Sequence, residues 1–185
     1  MKRILSFTLI LISILTLVSC SREEGEAPLG MKIASDDAAE FYLYVPKEWE
    51  VTTEKNSLMA SARASESDPS NVTMIGFEDG GNEYETIDEF WAYYASEFET
   101  RIFDLDENGA TTFKLTLGGE STTIDGIAAK RYEYSGSVAG SEFKYAMVIA
   151  KSGPVFYIFT YTSKTEFYDN NLSDIDKVLN YIEFK

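Results

Sequence analysis

Two short stretches carry residues whose types and spacing suit chemistry. Leu17-Val18-Ser19-Cys20 ends on the only cysteine of a 185-residue chain. Asp104-Leu105-Asp106-Glu107-Asn108-Gly109 sets oxygen ligands at alternate positions. The Cys20 thiol is a nucleophile that can accept a lipid group, and Ser19 is small enough for a peptidase cutting before the cysteine. Asp104, Asp106 and Asn108, with Gly109 for a sharp turn, match the first half of a calcium loop. The match stops there. With Asp104 at position 1, position 12 is Leu115, where an EF-hand has a bidentate glutamate, and a complete EF-hand is excluded. Two readings remain. One is a half-loop completed by a distant carboxylate, which millimolar extracellular calcium would fill. The other, plainer, is an acidic turn that leaves a helix through Asn108-Gly109 with positive φ.

The residues around Cys20 give it a context. Lys2 and Arg3 precede the apolar run ILSFTLILISILTLVS, the n-region and h-region of a secretory signal. The run is short for a membrane span, which needs about 20 apolar residues. Leu17–Cys20 then looks like a bacterial lipobox. It predicts cleavage between Ser19 and Cys20, a diacylglyceryl group on the thiol and acylation of the new amine. At about 0.8 kcal/mol per buried CH2, two or three acyl chains hold firmly where one is marginal. Residues 1–19 read as a lipoprotein signal peptide, and 20–30 as lipidated Cys20 and a flexible tether, SREEGEAPL. Residues 31–185 read as one domain. A lone cysteine excludes an internal disulfide framework. Ser21, rather than Asp, gives no signal for retention at an inner membrane.

Composition removes other classes. The chain has no histidine, so Ser-His-Asp and Cys-His sites in their usual forms are excluded. P-loop and dinucleotide fingerprints are absent from the sequence. With 31 acidic residues, accidental carboxylate pairs are certain and a glycosidase-like pair cannot be argued. An unrecognised hydrolase would need a pocket holding two carboxylates of unequal pKa. Loss of Lys2 and Arg3 with the signal moves the net charge from −15 to −17. Such a surface repels nucleic acid. Asn71-Val72-Thr73 and Asn171-Leu172-Ser173 match a glycosylation pattern and read as chance in a bacterial lipoprotein.

The elements that position these residues follow from hydrophobic periodicity. Phe41–Val45 reads as a strand ending at Pro46, with further strands over 58–64 and 72–77 separated by the polar loop SESDPSN (65–71). DGGNEYE (79–85) is another loop. Thr86-Ile87-Asp88-Glu89 is a capping box. Ile87, Phe90, Trp91, Tyr94, Phe98 and Ile102 then fall on one helical face, which reads as packing. A β-meander follows: a strand over 111–117 with a hairpin at Gly118-Gly119, a turn at Asp125-Gly126, a strand over 127–134 and a loop SGSVAGS (135–141). Strands over 143–149 and 155–161 flank the turn at 151–154. Val155, Tyr157, Phe159 and Tyr161 would face one side and Phe156 and Ile158 the other, so this strand should lie centrally, covered on both faces. Ser173-x-x-Asp176 caps a last helix with Leu172, Ile175, Val178 and Leu179 as its buried stripe, and 181–184 would form an edge strand. Tyr42, Tyr44, Tyr132 and Tyr134 could present an aromatic face to a partner or glycan, although packing is the plainer reading.

FYLYVPKEWEV (41–51), Asp125-Gly126 with the hairpins to Tyr161, and the closing VLNYIEF resemble PsbP-like proteins in the order of their elements. The resemblance implies an α+β fold, a mainly antiparallel sheet sandwiched between helices. It implies a module that docks to a partner without catalysis, as do the extrinsic PsbP subunit of photosystem II and a Ran-GTPase-binding import factor. The histidine metal sites associated with PsbP have no counterpart here. The expectation is an exported, lipid-anchored, non-catalytic accessory module on the extracytoplasmic face of the membrane with an unidentified envelope partner. A calcium module at Asp104, Asp106 and Asn108 is the alternative, and a hydrolase the second.

Overall fold

The computed structural model describes residues 25–52, 58–78 and 84–185, the side chains of Phe98 and Thr100 excepted. The Leu17–Cys20 motif and most of the 79–85 loop lie outside them. Three short strands, β1 (Met31–Ile33), β2 (Phe41–Tyr42) and β3 (Tyr44–Pro46), come first. β4 (Glu50–Val51), β5 (Met59–Arg63) and β6 (Asn71–Glu78) lead to helix α1 (Ile87–Arg101). Four long strands follow, β7 (Lys114–Ile124), β8 (Ile127–Val138), β9 (Ser141–Ser152) and β10 (Val155–Lys164). A 3-10 turn (Tyr168–Asn171) enters helix α2 (Leu172–Tyr181), and β11 (Glu183–Phe184) comes last.

β4 to β10 form one antiparallel sheet in the order β4-β5-β6-β10-β9-β8-β7. β10 is the central strand, as its two apolar faces require. Phe156 and Ile158 sit in one buried cluster with Phe90 of α1, Tyr132, Tyr134, Met147 and Ile149. Tyr157, Phe159 and Tyr161 sit in the other with Val72, Met74 and Val148, and with Ile175 and Val178 of α2. This second face is also covered by the segment that carries β1 to β3, where Phe41, Leu43, Tyr44 and Val45 are fully buried. The fold is α+β, mostly antiparallel sheet with two helices.

The capping box forms: the Glu89 carboxylate accepts the Thr86 N–H at 3.0 Å, and the Thr86 hydroxyl accepts the Glu89 N–H at 3.2 Å. Phe90 stacks on Phe156 with centroids 4.4 Å apart, and Trp91 on Tyr132 at 4.0 Å. Ile102 is 45% exposed, because the helix ends at Arg101 and its stripe stops there. The expected strand over 41–45 splits at Leu43. Its first half pairs with β11 and its second with β1. Gly118-Gly119 is not a hairpin. β7 runs through it with two register shifts, Gly119 taking φ 78° in a bulge against Tyr132, and the chain reverses at Asp125-Gly126 (φ 48° and 74°). The 135–141 loop is reduced to Ala139-Gly140 (φ 50° and 75°), because β8 and β9 pair up to Val138 and Ser141. The Ser173 cap does not form: α2 begins at Leu172 directly from the 3-10 turn, without a side-chain cap.

Candidate functional site

Cys20 and Ser19 lie outside the described residues. The Asp104–Gly109 segment is an acidic turn after α1, closed by the Leu105–Thr111 bridge, with Gly109 at φ 78°. Its carboxylates serve backbone donors. Asp104 accepts the Gly140 N–H at 2.9 Å, the Ala139 N–H at 3.2 Å and the Ser137 hydroxyl at 3.0 Å, which ties the turn to the β8–β9 hairpin. Asp106 Oδ1 accepts the N–H groups of Asn108 and Ala110, each at 2.9 Å. These bonds, from Gly140 first for Asp104 and from Ala110 first for Asp106, hold both carboxyls below the usual range. Among the described residues no three His, Cys, Asp or Glu side chains converge as a metal cluster. A cation at Asp104 would have to displace three donors.

A second polar cluster is buried. The Ser70 and Ser163 hydroxyls are 2.7 Å apart, and Asp68 accepts from the Ser70 hydroxyl and from Asn171 Nδ2 at 2.8 Å. Burial raises the Asp68 pKa, and the Ser70 and Asn171 hydrogen bonds outweigh it, leaving the group below its ordinary value. A carboxylate held charged in this way is a weak base for activating a serine, and Ser70 has no exposed surface. The cluster ties the start of β6 to the end of β10 and to the turn before α2. Asp88 is also displaced downward, chiefly by its hydrogen bond from Lys130. Among the described residues every carboxylate with a displaced pKa is displaced in this direction, the opposite of what a general acid needs.

The tyrosines weighed as a display surface pack inward: Tyr44, Tyr132 and Tyr134 are at most 1% exposed, and Tyr42 is half-buried. The concavities among the described residues include two on the α2 side of the sheet. One is a groove between α2 and strands β7 and β8, where Arg131 makes two bonds to Glu133 Oε1 at 2.6 and 2.9 Å. The other is a cavity of about 260 Å³ floored by Gly76 between Leu58 and Tyr157, with Glu40 and Glu78 at its rim. The sequence held a signal for it. An isolated glycine inside the strand pattern NVTMIGFE marks a bulge or a close approach, and Gly76 makes neither, since β6 keeps its register and a Cβ there would find its nearest atom at 3.6 Å.

The sequence matches no family model and no curated protein. Solved structures do resemble it. Cyanobacterial PsbP (CyanoP) from Synechocystis matches with a TM-score of 0.54 at 13% identity, over 87% of this chain and 96% of that one. LpqN of Mycobacterium tuberculosis, described as involved in cell envelope biogenesis, matches at 0.51 and 13%, over 78% and 83%. The Ran-binding protein Mog1p of Saccharomyces cerevisiae matches at 0.55 and 8%, over 83% and 95%. The likeness is one of fold: a mostly antiparallel sheet with two helices, the fold this chain shares with PsbP and Mog1p.

Proposed function

We propose that this chain is an exported, non-catalytic binding or accessory module of the bacterial cell envelope, anchored by lipid on Cys20, with its sheet held between helices. The observation that carries the reading is the shared fold: one neighbour is named for binding Ran and another for envelope biogenesis. The Leu17–Cys20 motif after an apolar run supports the anchor. No described helix is long and apolar enough to cross a membrane.

The test is cross-linking in intact bacteria with a photoreactive residue at exposed positions of the folded chain. The expected result is a discrete adduct with an envelope protein, lost when Cys20→Ala releases the chain from the membrane. A chain that stays in the cytoplasm, or that gives no discrete adduct from any position, would overturn the proposal.

A further inference from the structure

The cavity at Gly76 deepens this reading and rests on it. Leu58, Gly76 and Tyr157 lie side by side across β5, β6 and β10: the Gly76 N–H donates to the Leu58 carbonyl at 2.8 Å, and Gly76 is registered opposite Tyr157. A side chain at position 76 would close the gap between the other two. A Cβ there would meet its nearest atom, on the Tyr157 ring, at 3.6 Å, an ordinary contact. Neither backbone conformation nor packing demands glycine, so its consequence is an open slot. The Tyr157 wall is held by Phe41, which also lines the slot and meets the ring edge-on at 6.2 Å, and by Phe184 at 4.5 Å.

The slot is apolar at its floor and acidic at its mouth. Glu40 and Glu78 are exposed, and among the described residues no hydrogen bond or ion pair engages either carboxylate. Burial and the nearby Glu40 charge both raise the Tyr157 pKa, which places that negative charge beside the ring. The volume of about 260 Å³ lies below the roughly 300–1,000 Å³ usual for small-molecule pockets, and fits one long side chain. The net charge, −17 without Lys2 and Arg3, attracts a basic partner from a distance.

We infer that this slot receives a basic side chain, lysine or arginine, from a protein partner. Its methylene stem lies over Gly76 between Leu58 and Tyr157, and its cationic head sits between Glu40 and Glu78. Stem burial and a cation held near both an aromatic wall and two carboxylates act together.

The test uses the full chain in a non-ionic detergent, labelled with 15N at its 12 glycines. The Gly76 signal is identified by its loss in Gly76→Ala. Nα-acetyl-lysine methylamide is titrated against its uncharged norleucine analogue. The expected result is a saturable Gly76 shift with the lysine probe, at least tenfold weaker with norleucine and in Glu40→Gln/Glu78→Gln. These glutamates are exposed, so the variant keeps its fold, which its unchanged remaining glycine signals would verify. Equal response to both probes, an undiminished response in the double variant, or no saturable response overturns the inference. Failure here would leave the envelope cross-linking result standing, so the two readings fail separately.

Discussion

Gly136 and Gly76 stand in strands of the same sheet, and the structure assigns opposite signs to the same substitution. An ideal Cβ at Gly136 would lie 2.3 and 2.7 Å from two atoms of the Phe103 ring, which is buried in the α1-side cluster. No flexible chain end can swing aside, because Phe103 packs edge-on against Tyr134 and Tyr145. Overpacking of this kind costs about 1–3 kcal/mol. At about 2–4 °C per kcal/mol for a domain of this size, Gly136→Ala should lower the Tm by about 2–12 °C. At Gly76 the new methyl finds ordinary contacts at 3.6 Å or more. Alanine is the better strand residue by about 0.5–1 kcal/mol, so Gly76→Ala should hold or raise the Tm. Thermal melts followed by circular dichroism measure both. Phe103→Leu should relieve the clash, so Gly136→Ala in that background should cost at least 0.5 kcal/mol less, a coupling of the usual size for contacting residues. Equal effects at the two glycines, or additive behaviour of Phe103→Leu and Gly136→Ala, would refute the reasoning.

Further expectations concern the core and the acidic turn. Phe90→Ala removes the ring stacked on Phe156 at 4.4 Å and should cost about 3–5 kcal/mol, read from urea midpoints at unchanged m. Asp104 is held below its unfolded value, so its stabilisation is complete above about pH 4 and lost as pH falls through the folded pKa. Asp104→Asn should therefore melt below the parent at pH 6, and the gap should narrow as the pH is lowered through the acidic range; a constant gap would contradict the assignment. Because Asp104 and Asp106 already serve backbone donors, calcium and magnesium should raise the Tm equally and slightly, by screening. A site at about 100 times its Kd would add roughly 2.7 kcal/mol, so a calcium-selective shift lost in Asp106→Asn would restore the metal reading.

What the sequence revealed were features set by neighbouring residues or by burial on both sides of a strand. The Thr86–Glu89 box is local and forms as read. β10 is central because a run apolar at both parities has nowhere else to go. Asp125-Gly126 turns because both positions accept positive φ. The misread positions depend on distant partners. Gly118-Gly119 has turn chemistry, yet β8 holds β7 straight through it as a bulge. Val138 and Ser141 look like loop until β8 and β9 pair to their ends. Ser173 has the spacing of a cap, but Asn171 is drawn toward Asp68 and the helix starts from the turn before it. The Gly76 slot exists only because Leu58 and Tyr157, 99 positions apart by their numbers, flank one strand.

The intact mass of the chain purified from the membrane fraction of a bacterial host tests the anchored-module account most directly. The expected species is residues 20–185 carrying a diacylglyceryl group and an N-acyl chain on Cys20, with no such species from Cys20→Ala. An unmodified chain retaining residues 1–19, or a membrane-bound Cys20→Ala chain with the parent's partitioning, would contradict it.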